Sequence, residues 1–468
     1  MAEQDSPPSG RAARGVNRRG LLQAAGLGAG VLAAGTIAAD RVAAHRHRAP
    51  ADPGTADAAD AADLPLISGP DFPIGLFWPP HPFESTEARY EEITDAGFTF
   101  LITGNYQNDE ASANQALGLA DKVGLKVLVA GDPRVQAMAQ HLTVTDDRSV
   151  PSSLTTADAA DWMTSAVGNY AHHPSFAGFN LYDEPPTTRF PNVGSLTRVL
   201  RDVAPSLLPY ANINRGNGAR YRAFVRKYLD AVRPSLISFD RYPILADGSI
   251  DTAYFDTWAI IREAALTARI PAWTYIQSTG FNGHAVPTPA QLAWQINTSL
   301  AYGCKGIQYF TYWTPDPARG EGYTQALITT DGQQTPLYQA ARTLNTTWLQ
   351  PTGRQLKPLT TETVHHANEP QPPTGTTPFT PGTHLTHTTG DPALLTLYTH
   401  PHQQNDTRHL LITNRHADKP AKPRVQINPA FAAACYDPAA DTYTPVAGIT
   451  LAPHLAPGAA ALYRLTPA

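Results

Sequence analysis

The sequence predicts a (β/α)8 barrel followed by a small C-terminal antiparallel β-sandwich, and three observations carry that expectation. From Pro73 onward, short β-rich runs alternate with longer helical stretches, the pattern of βα units around a parallel sheet. Eight such runs can be counted, enough to close a barrel. After Leu349 strands recur without helices between them, short, alternating and bounded by turn residues, as in a sandwich.

The eight expected strands are Ile74 to Trp78, Thr99 to Thr103, Lys126 to Ala130, Gly178 to Tyr182, Pro209 to Ile213, Leu236 to Phe239, Ala272 to Ile276 and Gly306 to Tyr312. Helical patterns separate them, among them Thr86 to Ala96, Ala157 to Ala171 and Pro289 to Tyr302. Thr288-Pro289 supplies a cap residue with proline at the first helical position. An open doubly wound sheet is the rival, but Pro79-Pro80 follows the first strand where that fold needs a Gly-rich phosphate turn. The length of 468 residues suits a barrel of roughly 250 to 300 residues with a smaller partner.

At the start of the chain, Arg18-Arg19 precedes a weakly apolar, Ala- and Gly-rich run from Leu21 to Ala39, with small residues where a signal peptidase cuts. This looks like a twin-arginine export signal, which assigns the protein to the export machinery that carries folded chains and to an extracytoplasmic location. The divisions expected are a signal peptide over 1–42, a disordered tether over 43–65, the barrel over 66–349, a Pro- and Thr-rich linker over 350–382 and the sandwich over 383–468. Cys304 and Cys435 fall in different domains and are expected as two unpaired thiols. A formal charge of -5 offers no basic field for nucleic acid. The sixteen histidines show no zinc-like spacing, so no metal and no cofactor is expected.

In a parallel barrel the active site lies at the carboxyl ends of the strands. Those ends carry Trp78 and His81 after strand 1, Asn105 after strand 2, Asp132 after strand 3, Asp183-Glu184-Pro185 after strand 4 and Asn212 on strand 5. Asp240 and Tyr242 follow strand 6, Gln277 strand 7, and Tyr309, Tyr312 and Trp313 strand 8. Carboxylates, amides and aromatic faces on one rim suit a sugar, which presents hydroxyls around its edge and apolar C–H faces above and below.

Here the sequence resembles the barrel glycoside hydrolases whose acid/base Glu follows strand 4 in an Asn-Glu-Pro or similar tripeptide. Asp183-Glu184-Pro185, after the apolar run Phe176 to Leu181, is this chain's version. Ala96-Gly97-Phe98 and the run Gly303 to Phe310 are similar to the β-galactosidase-like, family 42-like branch. The resemblance covers about Pro73 to Leu349 and implies Glu184 as the catalytic acid, acting on an oligo- or polysaccharide. It also implies a nucleophilic Glu after strand 7, where this chain has Gln277. The remaining carboxylates are Asp240, Asp183, Asp132, Asp316 and Glu321, of which Asp240 is favoured because the rigid turn Arg241-Tyr242-Pro243 follows it. The other rim residues named above are expected to bind substrate. The amide at position 277 also keeps open a second expectation, an exported glycan-binding barrel without catalysis.

The export reading has a direct check. Changing Arg18 and Arg19 together to Lys is expected to trap the precursor inside the cell, followed by blotting of cell and medium fractions; unchanged export contradicts it.

Overall fold

A computed structural model describes residues 64–402 and 405–468. The expected signal peptide and residues 43–63 of the tether lie outside the described residues. Eight parallel strands close a barrel: β1 (Ile74–Phe77), β2 (Phe100–Ile102), β3 (Lys126–Val129), β4 (Phe176–Asp183), β5 (Leu208–Ile213), β6 (Ile237–Asp240), β7 (Ala272–Gln277) and β8 (Gly306–Phe310). Each pairs with its sequence neighbours, and β8 returns to β1 with Ile74 opposite Ile307. The expected strands match these to within two residues at nearly every end.

Eight helices pack outside: α1 (Glu87–Asp95), α2 (Glu110–Val123), α3 (Thr156–Tyr170), α4 (Phe190–Val203), α5 (Gly218–Val232), α6 (Tyr254–Ala268), α7 (Pro289–Ala301) and α8. The last runs through Pro336–Leu344, a π-helical turn Asn345–Leu349 and Gln350–Leu356. Local signals set their starts. Thr288 and Gln291 form a capping box at α7, and Asp109 and Ser112 form one at α2.

Alternation along the strands divides the core in two. Ile307 and Tyr309 of β8, or Ile237 and Phe239 of β6, face the helices and belong to the large outer core. Phe100, Leu128, Leu208, Tyr210, Trp273, Tyr275 and Phe310 form a second cluster inside the barrel. Leu64 and Leu66, the latter on the short helix Pro65–Ser68, join that inner cluster. Leu64 and Pro65 are therefore part of the fold, a correction to the tether, because a buried leucine pins the chain there.

Two sheets follow the barrel. Six strands lie in the order β9 (Thr360–Ala367), β11 (Ala393–Thr399), β12 (Arg408–Asn414), β17 (Ala460–Pro467), β14 (Phe431–Asp437) and β15 (Thr442–Val446). The smaller sheet holds β10 (Leu385–Gly390), β13 (Pro423–Ile427) and β16 (Thr450–Leu451). Leu395, Leu397, Leu410 and Ile412 fill the space shared with the smaller sheet, whereas Leu394, Tyr398 and Leu411 join the barrel's outer core. The large sheet is thus buried on both faces, which explains the continuous burial of β11 from Ala393 to Tyr398, with Thr396 as its one polar residue.

The stretch 350–382 departs from the expected linker. Gln350–Leu356 completes α8 and Thr360–Ala367 is an edge strand paired with β11, so only the part after Ala367 is irregular. Pro351 disguised the helix: it lacks an amide hydrogen, and the π-helical turn just before it absorbs the break in the ladder. Cys304 is buried and Cys435 half-buried, and both are free thiols.

Helix α7 joins the domains. Residues Leu292–Ala301 are buried all round. Trp294 donates its indole N–H to Arg415 O at 3.0 Å, and Asn297 Nδ2 donates to Gly458 O at 2.9 Å. Gly458 sits at φ +68°, and a Cβ there meets Ala290 O at 2.3 Å, so only glycine allows this approach. Ending the chain after Leu356, where α8 finishes, bares this surface, and we expect aggregation in size-exclusion chromatography. In the full chain, Trp294→Ala should cost about 3–5 kcal/mol and lower the melting temperature. A soluble, fully active shortened chain contradicts this view of the interface.

Candidate active site

The carboxyl ends of the strands gather the polar and strained residues. Of the ten non-glycine residues at positive φ among the described residues, five lie on this rim: Trp78, Asn105, Tyr106, Glu184 and Asn282. Such backbone is costly for an L-residue and concentrates where a side chain must be aimed. Glu184 takes φ 54° directly after β4, with its N–H bonded to Asn212 O at 2.8 Å. The turn carries its carboxylate to Asn214, whose Nδ2 donates to Glu184 Oε2 at 3.4 Å.

A second carboxylate is fixed from below. Asn212 Nδ2 donates to Asp240 Oδ1 at 3.2 Å, and Asn212 Oδ1 accepts from Ser238 Oγ at 2.9 Å. Ser238 Oγ is 2.7 Å from Tyr210 OH, which also accepts from Gln308. The chain of hydrogen bonds thus crosses β5, β6 and β8 inside the barrel and ends on Asp240. Arg241, its neighbour, turns away: Nε donates to Asp251 at 2.9 Å, and Nη1 to Gly216 O and Thr257.

Tyr221 of α5 reports on both carboxylates. Burial pushes its phenol well above the ordinary range, Asp240 raises it further, Arg241 opposes, and Glu184 adds to the rise. Asp183 is Cα-paired with Asn212 and acts on Tyr210, whose phenol is raised first by burial. Glu184, Asp240 and Asp183 are all buried, at 6%, 3% and 8% exposure.

An aromatic wall stands on the same rim. Phe310 packs 5.9 Å from Phe77, 5.7 Å from Trp78, 5.2 Å from Tyr242 and 5.3 Å from Phe281, measured between ring centroids. Tyr323, from the loop after β8, lies 5.7 Å from Trp78 and donates its hydroxyl to Glu321 Oε2 at 2.7 Å. His284 packs on Phe281 and Tyr242, and burial, then Arg215, push its imidazole below the ordinary range.

The expected site residues divide accordingly. Asp183, Glu184 and Asp240 lie at the strand ends, Trp78 and Tyr242 pack in the aromatic wall through Phe310, and Asn212, fully buried, holds Asp240 from beneath. His81 stands at the edge between Phe83 and Trp313. Asn105 holds the β1 and β2 loops together through Pro79 O at 2.9 Å.

Five expectations need correction. Asp132 caps the helix Pro133–Gln136 with one oxygen and accepts from Tyr170 OH with the other, at 2.9 Å. Tyr309, Tyr312 and Trp313 point into the outer core, Tyr309 bonding Asn345 at 2.7 Å. Gln277 is fully buried: its Oε1 accepts from Ile244 N at 3.0 Å, and its Nε2 donates to Ile244 O at 3.0 Å and Ala285 O at 2.5 Å. This amide stitches the β6 and β7 loops together. Phe77, Phe281, Phe310, Tyr323 and the cation Arg319 were not anticipated. Counting alternate residues back from the strand ends singles out Phe310; the others come from loops and the β1 end, where the sequence gives no register.

No family model and no curated protein matches the chain. Solved structures do. The chain is similar to a β-galactosidase from the psychrophilic Marinomonas ef1, at 10% identity over 58% of this chain and 59% of that one, with a TM-score of 0.42. It is similar to a β-glucuronidase of Ruminococcus gnavus, at 11% identity over 59% of this chain and 50% of that one, TM-score 0.40. An Anoxybacillus α-amylase is matched at 11% identity over 85% of this chain and 98% of that one, TM-score 0.45. The chain thus matches only 50 to 59% of the length of the first two. Among the described residues, no group of three or more His, Cys, Asp or Glu is arranged to hold a metal ion, and no helix is long and apolar enough to cross a membrane.

Gln277→Glu tests the account of that position. A carboxylate there faces two carbonyl oxygens in a buried setting, so we expect a loss of about 1–3 kcal/mol for each donor bond removed, read as a lower melting temperature, and no gain in activity. A stable variant with raised activity contradicts it.

Proposed function

We propose that the protein is an exported glycoside hydrolase that cleaves an oligo- or polysaccharide, with Glu184 as general acid and Asp240 as the second carboxylate. The observation that carries this reading is the pair of buried acids, each held by an asparagine of the β5 end, Asn214 on Glu184 and Asn212 on Asp240. Burial disfavours the charged form of a carboxyl group, and a protonated Glu184 would give its proton to the departing glycosidic oxygen. Asp240 then acts on the opposite face of the sugar, as nucleophile or as base toward water.

On this reading the chain is related to the family 42-like enzymes it resembles, with the second carboxylate moved from the β7 end to the β6 end. The three hydrogen bonds of Gln277 support that shift, since they commit the β7 end to holding loops. The same glutamine favours the other reading, a glycan-binding barrel without catalysis, and the two separate in an assay.

Glu184→Gln keeps the shape and removes the proton. We expect a loss of about 10²- to 10⁴-fold in rate on the best natural glycan. An activated aryl glycoside needs little protonation to depart, so it should lose far less. Asp240→Asn should impair both substrates alike. If both variants stay within a few-fold of the unaltered protein on the natural glycan, the assignment is wrong. Binding without release of sugar from any substrate supports the non-catalytic reading.

A further inference from the structure

At the mouth of the site the guanidinium of Arg319 is clamped between two aromatic rings, 4.4 Å from the centroid of Trp78 and 4.5 Å from that of Tyr106. Both rings are themselves aimed by positive φ, at 58° and 72°. Gly104, at φ +153°, leaves the room Trp78 needs, since a Cβ there comes within 2.7 Å of the indole. Stacking on two faces fixes the plane of the guanidinium and leaves only its edge for hydrogen bonds.

That edge is underused. A guanidinium carries five N–H donors. Arg319 Nη2 donates to Asn105 Oδ1 at 3.4 Å, and the buried Nε–H has no acceptor. The acids nearest in sequence are engaged elsewhere: Asp316 Oδ1 accepts from Ala318 N at 2.8 Å, and Glu321 Oε2 from Tyr323 OH. Among the described residues Arg319 makes no ion pair. A held, planar fork with a buried donor to spare fits a planar oxyanion, to which guanidinium binds through two parallel hydrogen bonds. The acids of the rim repel an anionic ligand, so a cation at the mouth is what admits one.

We propose that Arg319 recognises the carboxylate of an acidic sugar, and that the glycan taken by this site contains uronic acid residues. This deepens the reading of the rim as a glycan site and holds whether or not the bound glycan is cleaved. Tyr106, half-exposed, offers its outer edge to the same sugar.

The test is equilibrium binding by calorimetry to the full chain carrying Glu184→Gln, which keeps ligands intact. The probes are uronic acid oligosaccharides from galacturonan, glucuronoxylan, alginate and hyaluronan, each beside its carboxyl-reduced neutral counterpart. At least one acidic probe should bind about ten- to a hundredfold more tightly than its reduced form, the span expected of charge-assisted hydrogen bonds. The difference should shrink as salt is raised. Arg319→Gln should abolish the difference between the two forms, and Arg319→Lys, which keeps charge without the planar fork, should restore only part. Acidic and reduced forms binding equally overturns this proposal and leaves the glycan site standing. Failure of every acidic and neutral probe to bind overturns both. Should Arg319→Gln weaken both forms alike, the residue merely braces the loop and the proposal fails.

Discussion

Closure of the eight-stranded sheet forces each strand residue to choose between the barrel interior and the helix layer. The rest of the molecule follows from that constraint. On β5 and β6 the inward positions are Tyr210, Asn212, Ser238 and Asp240, and they form one hydrogen-bonded line that delivers a carboxylate to the rim. Buried polar groups of this kind are costly unless each finds a partner, and satisfied they hold a single geometry. Glu184 escapes the alternation because the strand ends in a left-handed residue, which swings its carboxylate beside Asn214.

The loops complete what the strands begin. Gln277 satisfies both backbone groups of Ile244 and a carbonyl at Ala285, so the β6 and β7 loops are tied together. Bonds from Thr324 N to Gly280 O and from Asn282 N to Glu321 O add the β8 loop to the same assembly. The aromatic wall therefore rests on three loops that brace each other. On the far side of β7 and β8, α7 is buried between the barrel and the six-stranded sheet, so the sandwich stabilises the layer behind the site without contributing to it.

Much of this was legible in the sequence. Strand positions followed from short β-rich runs alternating with helical stretches, and Glu184 from its place after the fourth run. Which way a side chain faces at a strand end was not. Tyr309 and Phe310 differ by one residue, yet one bonds Asn345 in the helix layer and the other anchors the rim. A one-residue uncertainty in where a strand ends exchanges the two faces. Asp132 looked like a ligand for substrate because a cap and a binding carboxylate share the same position after a strand. The last barrel helix was hidden by Pro351, and β9 by the Thr-rich composition of an edge strand.

The central claim is that Glu184 donates the proton, with Asp240 as the second carboxylate. A pH profile of kcat/KM on the best natural glycan tests it most directly, because each limb reports one group of the free enzyme. For the unaltered protein the account expects kcat/KM to fall at high pH as Glu184 loses the proton it must donate. Glu184→Gln should lose that basic limb. A basic limb that persists unchanged in that variant contradicts the account.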